Sequence, residues 1–180
     1  MSEPVAQMWI DLETTGLDPQ KHSVVEVAVA FTHVENRKLV VEYEASAILA
    51  PTQDSWSTFC IWMHMRTGLL QEVHSGHGRP ADIFWKELTT KLEEWKGPRE
   101  VVLAGRSVHF DRSFLRVVAP DLEAHLHHRH LDVSAVEMFL GHAGMNTRDL
   151  NRLEGVPHRA RYDLQSAMHQ YGWFLNQLAP

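Results

Sequence analysis

The stretch Met8-Trp9-Ile10-Asp11-Leu12-Glu13-Thr14 limits the folds open to this chain more than any other. It reads as a strand, and a strand points successive side chains to opposite faces, so Trp9, Asp11 and Glu13 share one side while Ile10 and Leu12 take the other. Bulky apolar residues on both sides mark a strand covered on both faces, in the middle of a layered sheet. Two carboxylates on one face of such a strand repel each other, and burying them is costly unless a positive charge neutralises them. A divalent cation is the simplest neutraliser.

The elements that follow suit such a sheet. Val24 to Phe31 reads as a second strand and Leu39 to Leu49 as a third, with Leu39, Val41, Tyr43, Ala45 and Ala47 on one side. The short polar links between these segments predict an antiparallel meander. A Trp- and Met-rich region over 56–65 predicts short helices, with Trp62 in the core. The spacing of Ile83, Phe84, Leu88, Lys91, Leu92 and Trp95 predicts an amphipathic helix over 81–96, stopped by Gly97-Pro98. Val101 to Ala104 is short and wholly apolar, as a central parallel strand would be.

A helix is expected from about Phe110 to Val118, with Phe110, Phe114, Val117 and Val118 inward. Arg129 to Asp132 reads as a further strand, followed by a helix through Leu140. After a mostly loop-like stretch, the last helix starts near Tyr162 and turns Leu164, Ala167, Met168, Tyr171, Leu175 and Leu178 inward. Three strands followed by strand–helix alternation predict an α/β domain layered around a mixed sheet, an antiparallel meander then parallel strands. The 180 residues fit one domain, with 1–7 as an N-terminal extension.

Composition narrows the function classes. The single cysteine, Cys60, excludes an intramolecular disulfide and a Cys-rich zinc site, and both suit a reducing cytosol. The opening MSEPVAQ has neither the basic end nor the apolar run of a signal peptide, and no apolar stretch is long enough to span a bilayer, so a cytoplasmic protein with no membrane partner is expected. A formal net charge of −6 argues against a protein that coats long nucleic acid. It leaves room for an enzyme whose carboxylates hold cations and whose substrates carry few phosphates. His125 to His130 hold four histidines in "HLHHRH", but no partner set has zinc-finger spacing, so this run reads as a polar loop entering a strand.

Three more residues stand out by position. Asp111 opens the helix after the 101–104 strand, Asp163 opens the last helix, and His158 precedes Asp163 in "PHRARYD". Singly, each has an ordinary reading: an Asp at a helix start is a cap or dipole partner, and a loop histidine is solvated. Five residues along a continuous helix would turn His158 away from Asp163, so their cooperation requires His158 in the preceding loop or first turn.

Taken together, the motifs resemble those of the oligoribonucleases, a branch of the exonuclease superfamily with an Asp-Glu-Asp-Asp metal set and a histidine. "WIDLETTGLDP" is similar to the family's first motif, "AGRSVHFDRSFL" to its second and "PHRARYD" to its third. "HLHHRHLDVSAVE" is similar to the stretch between the second and third. The likeness runs from about 8 to 175. It implies an RNase H-like three-layer fold and a metal-dependent 3′–5′ exonuclease that hydrolyses short RNA oligonucleotides to 5′-mononucleotides. A single-stranded DNA exonuclease of proofreading or repair type is the alternative on the same fold.

By the same resemblance, Asp11, Glu13, Asp111 and Asp163 would hold two Mg2+ or Mn2+ ions. His158, an imidazole that titrates near neutral pH, would take the proton of the attacking water. Leu17 and Phe59 would wedge against bases, with Trp56 and Trp62 close by, and His64 matches a family residue near the site. Ser107, Arg129 and Ser134 match positions that cap a 5′ phosphate. The family's Tyr before that Arg, supplied by the partner subunit of a homodimer, is His128 here, which weakens the expected cap and would admit longer oligomers.

Overall fold

The computed structural model describes residues 6–147 and 153–177. The chain runs through β1 (Ala6–Thr14), β2 (Val24–Glu35), β3 (Lys38–Ile48), α1 (Thr58–Thr67), α2 (Leu69–His74) and α3 (Ala81–Lys96). It continues through β4 (Val101–Gly105), α4 (His109–Val118), α5 (Pro120–Ala124), β5 (Leu126–Asp132), α6 (Val133–His142) and α7 (Ala160–Gln177). The strands form one sheet in the order β3-β2-β1-β4-β5. The first three make an antiparallel meander, and β4 and β5 run parallel to β1 and to each other. β1 is therefore the middle strand, as its two apolar faces require.

The alternation along β1 sorts the molecule into layers. Ala6, Met8, Ile10 and Leu12 face a core completed by Phe84, Trp85, Leu88 and Leu92 of α3 and by Phe114 and Leu115 of α4. Trp9 faces the opposite core with Ala28, Ala30 and Ala104, closed by Val133 and Leu140 of α6 and Ala160, Leu164, Ala167 and Phe174 of α7. Asp11 and Glu13 share the Trp9 face, so the carboxylates point to the side covered by α7. Small residues on β2 and β4 let α7 lie close across that face.

Several details depart from the sequence reading. β1 starts at Ala6, two residues before the expected Met8. A β-bulge lies between Phe31 and Thr32, which pair with Tyr43 and Val41 and leave Glu42 as the extra residue. It flips the alternation along β3, so Tyr43, Ala45 and Ala47 pack on the α3 side while Leu39 joins the α7 side and Val41 is exposed. Ile83 and Val117 face solvent, and Trp85 and Leu115 take the core places.

The histidine run is strand rather than loop, because β5 begins at Leu126 and forms an edge of the sheet. Trp62 is half-exposed instead of core. Leu178 and residues 148–152 of the expected loop lie outside the described residues. Among the described residues no helix is long and apolar enough to cross a membrane.

A second bulge matters for the site. Glu13 pairs with Glu26 and Thr14 with Val24, which leaves Val25 as the extra residue on β2. Val25 turns into a third small core with Leu69 and Val73 of α2, against Ile48 and Trp56. Gly68 ends α1 and starts α2 with φ +80°, a left-handed conformation that glycine adopts without strain. Helices α1 and α2 are thus joined at a tight corner and docked beside the carboxylate end of β1.

Candidate active site

The site lies where β4 stops following β1. The two strands pair only as far as Trp9 with Ala104. Just beyond, a Cβ on Gly105 would fall 2.7 Å from the Ile10 carbonyl oxygen, so this close approach next to Asp11 needs a glycine. Past the divergence the Leu12 N–H has no strand partner, and it donates to Asp111 Oδ1 at 3.0 Å. Asp111, in the first turn of α4, is 4 % exposed. Burial pushes its carboxyl up to about 8, although its own N–H and that of Leu12 pull the other way.

Asp163 comes from the first turn of α7 and reaches the same place. Its Oδ2 accepts the His158 N–H at 2.8 Å, so His158 sits in the loop before the helix, as cooperation across five residues requires. Glu13, His158 and Asp163 each offer a ligating atom, and these atoms all lie within 4.8 Å of one another.

The electrostatics show a cluster short of positive charge. Burial, then Asp111, Asp163, Glu13 and Glu26 in turn, raise Asp11 well above the usual carboxylate range. Burial, followed by Asp163, Glu26 and Asp111, pushes Glu13 up to about 8. Burial also raises Asp163, against the opposing effect of His158. His64 does not fill the deficit. Its Nε2 lies 2.8 Å from the Thr14 carbonyl and must donate to it, so the ring presents bare Nδ1 toward Glu13 Oε2, 3.9 Å away. That Nδ1 is buried without a hydrogen-bond partner, and burial pushes His64 below its ordinary value, toward the neutral form. Arg159 and Arg106 act on Glu13 and Asp163 from a distance without bringing either carboxyl down to its ordinary range, and these carboxylate oxygens beside the His158 imidazole make a donor set that suits a divalent metal.

One neighbouring carboxylate is neutralised. Glu26, directly opposite Glu13 in the β1–β2 register, receives Arg159 Nε at 3.1 Å on each oxygen and Arg159 Nη2 at 2.9 Å. The Ala160 N–H donates to Glu26 Oε2 at 3.0 Å, which ties down the start of α7. The outer edge of the same guanidinium binds Glu72 of α2 at 2.9 and 3.2 Å. Sequence reasoning missed this pair. Its one signal was a lone carboxylate inside the apolar run Val24 to Phe31.

The remaining expected residues fall into three groups. Leu17 and Phe59 are exposed at 75 % and 64 %, free to meet a ligand, and Phe59 tilts against Trp62, over which Arg66 stacks. Ser57 caps α1 and donates its N–H to the Thr15 carbonyl at 2.8 Å, which fixes that helix beside the end of β1. Ser107 and Ser134 are brought together, their hydroxyl oxygens 3.2 Å apart. Asp132 Oδ1 organises them by accepting the N–H of both, at 3.0 and 2.9 Å, a role the sequence reading did not assign. His128 and Arg129 stand exposed on the edge strand β5, where the His128 carbonyl accepts Arg112, the His128 ring tilts against that of His127, and the Arg129 N–H donates to His127 Nδ1.

The fold thus lays α7 across a mixed sheet and brings acids together at the end of its central strand. The exonuclease family model matches residues 8–171, and the chain belongs to that family as a hydrolytic nuclease. Within it the chain is similar to oligoribonucleases: 31 % identical over 169 residues to that of Halorhodospira halophila, covering 91 % of this chain and 88 % of the relative. That of Ectopseudomonas mendocina is 30 % identical over 172 residues, covering 93 % of both, and that of Neisseria meningitidis serogroup A is 34 % identical over 134 residues, covering 72 % and 69 %.

Among solved structures, the zinc-bound E. coli exonuclease I complex with single-stranded DNA superposes with a TM-score of 0.69 at 13 % identity, covering 98 % of this chain and 41 % of that one. At that identity the likeness is one of fold, and the chain spans about two fifths of exonuclease I. Family membership implies dependence on a divalent metal, and the acidic cluster around Glu13, His158 and Asp163 is able to hold one.

Proposed function

We propose that the protein is a 3′–5′ exoribonuclease that degrades short RNA oligonucleotides to 5′-mononucleotides, within a single domain spanning the chain. The reading rests on one observation: Glu13, His158 and Asp163 offer ligating atoms within 4.8 Å of one another, and Asp111 and Asp163 both act on Asp11 and Glu13. Those four acids would hold two Mg2+ or Mn2+ ions. When bound, such ions supply an activated water and offset the charge of the reacting phosphate.

The protein's own groups do the rest. His158, whose backbone N–H is held by Asp163 and whose ring lies beside Glu13 and Asp163, would accept the proton of the attacking water. Leu17 and Phe59 offer exposed apolar surface for bases, and stacking of that kind tolerates any sequence. The paired hydroxyls of Ser107 and Ser134 are suited to a terminal phosphate. We assign Arg129 to the same phosphate cap as Ser107 and Ser134, and His128, exposed on the sheet edge, to the position from which a homodimer's partner subunit would reach that cap. Cytoplasmic RNA turnover is the setting this reading fits.

Product analysis on end-labelled RNA from dinucleotides to long oligomers, with magnesium present and absent, tests the reading. Stepwise release of 5′-mononucleotides from the 3′ end, fastest on the shortest RNA and dependent on metal, is the expected result. Faster cleavage of long single-stranded DNA would instead favour a proofreading or repair exonuclease, the substrate class on which the structural neighbours were captured.

A further inference from the structure

We infer that Arg159 is a positioning residue, joining the aromatic helix pair α1–α2 to the loop that carries His158. The inference rests on the nuclease reading above for its kinetic consequence, and on geometry alone for its structural one.

His158 has φ +61°, in the left-handed region that a residue with a Cβ rarely adopts. Such a conformation persists only where the surroundings over-determine it, and it marks places where strain serves a purpose. The surroundings here are specific. On one side the His158 N–H is held by Asp163 Oδ2. On the other, the next residue is clamped: Arg159 gives its guanidinium to Glu26 and Glu72, and Ala160 gives its N–H to Glu26. The backbone of His158 is thus pinned at both ends, which sets the direction in which its side chain leaves the loop.

The two arms of the clamp differ. Glu26 is buried in β2 opposite Glu13, so that arm ties the loop to the sheet. Glu72 is about half-exposed and belongs to α2, which turns off α1 at Gly68 and shares a small core with the Val25 bulge. Helix α1 presents Phe59, Trp62 and Met65 to solvent. A single planar, five-donor group therefore spans the sheet, the helix pair that would meet bases and the loop that would move the proton. A bidentate fork fixes direction as well as distance, which an ammonium does not. Once bases are stacked on α1, movement of the helix pair is passed through Glu72 and Arg159 to His158.

Arg159→Lys keeps the charge and loses the fork, and Glu72→Gln weakens the outer arm alone. In the full chain with Mn2+, Arg159→Lys is expected to lower kcat by about 10–100-fold, the usual effect of losing an outer partner of a metal-site residue. Glu72→Gln is expected to lower it less, and both are expected to leave KM on a dinucleotide within about twofold. In a His158→Ala background Arg159→Lys should cost almost nothing further, because a positioning residue has nothing left to position. Multiplicative losses, or an unchanged kcat in an active enzyme, would overturn the inference.

Hydrogen exchange reads the clamp directly, whichever oligonucleotide the enzyme cleaves. The His158 amide should exchange at least about tenfold faster in both variants while β1 and β2 amides stay protected. Unchanged exchange at His158 would sink the clamp, whatever the catalytic result.

Discussion

Glu13 and Glu26 face each other across the β1–β2 ladder, both nearly buried, and they meet opposite fates. Glu26 takes a guanidinium from Arg159 and an N–H from α7, so its charge is compensated by the chain itself. Glu13 has a neutral histidine ring on one side and Asp163 on the other, and it is pushed up to about 8. Like charges directly opposite on a ladder destabilise it, and a protein could relieve both in the same way. This one bonds its guanidinium to Glu26 alone, and the weaker pull of the same Arg159 on Glu13 leaves that carboxyl raised. The contrast separates a carboxylate bonded within the chain, the closed side, from one left raised, the open side, without reference to any motif.

The largest expected effects are on turnover and fall on the open side only. Glu13→Gln and Asp163→Asn should reduce hydrolysis to background in the presence of Mn2+, and His158→Ala should cost about 10²–10⁴-fold, the usual contribution of a proton-transfer group. Initial rates on a short RNA measure both. If His158→Ala turned over at the wild-type rate, His158 would leave the mechanism and the open side would be only a charge cluster.

Stability should respond with the opposite sign on the two sides. Glu26→Gln takes from Arg159 its buried carboxylate, and breaking a buried pair costs about 3–5 kcal/mol, with the low end expected because Arg159 is partly exposed and keeps Glu72. Near neutral pH the metal-free fold must protonate Glu13, which the unfolded chain leaves ionised, and Glu13→Gln removes that cost, so the metal-free protein should melt higher. Thermal or urea unfolding in a chelator compares the two directly. A destabilised Glu13→Gln would mean that Glu13 has a partner within the chain.

The pH dependence follows from the same comparison. In the folded chain Glu13 and Asp111 hold their protons up to about 8, whereas unfolded they release them near 4.5 and 3.8. Across that window the folded state binds more protons, so the stability of the metal-free protein falls as pH rises from about 4 toward 8. Bound Mg2+ or Mn2+ favours the ionised form and should reverse the trend, so the rise in Tm on adding metal should grow with pH. Equal metal-induced shifts at pH 5.5 and 8 would break the link between the raised carboxyls and the cation (both pH values chosen inside the window).

The open side was legible in the sequence and the closed side was not, for a physical reason. Asp11 and Glu13 sit in a strand that must be buried, and that conflict is visible in seven residues. Asp111, His158 and Asp163 were found because their surrounding motifs carry a family resemblance. Glu26 and Arg159 are 133 positions apart, and neither shows what the other is for until the register of β2 against β1 is known. The two bulges were hidden in the same way. An extra residue at Glu42 or Val25 changes nothing in local composition, yet it sends Leu39 to the other core and brings α2 against β2. The helix limits over 81–96 were recovered in full, because an amphipathic period and a Gly-Pro stop are local signals.

The smallest effects belong to the exposed aromatics, and they sharpen the comparison by asking whether the open side extends along α1. Phe59 and Trp62 lie on one helix with ring centroids 6.4 Å apart, and Arg66 covers the Trp62 ring at 4.7 Å. Their planes are 37° apart, too tilted to share a single base, so one base can stack on Phe59 and the next is left to Trp62. Phe59→Ala should weaken binding of every substrate by about 1–3 kcal/mol, the worth of one stacked base. Trp62→Ala should leave dinucleotide KM unchanged and raise KM only for longer oligomers, by less than the Phe59 effect because Arg66 already occupies one face of the ring. KM values across a length series for the two variants distinguish these roles. An equal loss at every length for Trp62→Ala would place it in the first base contact, beside Phe59.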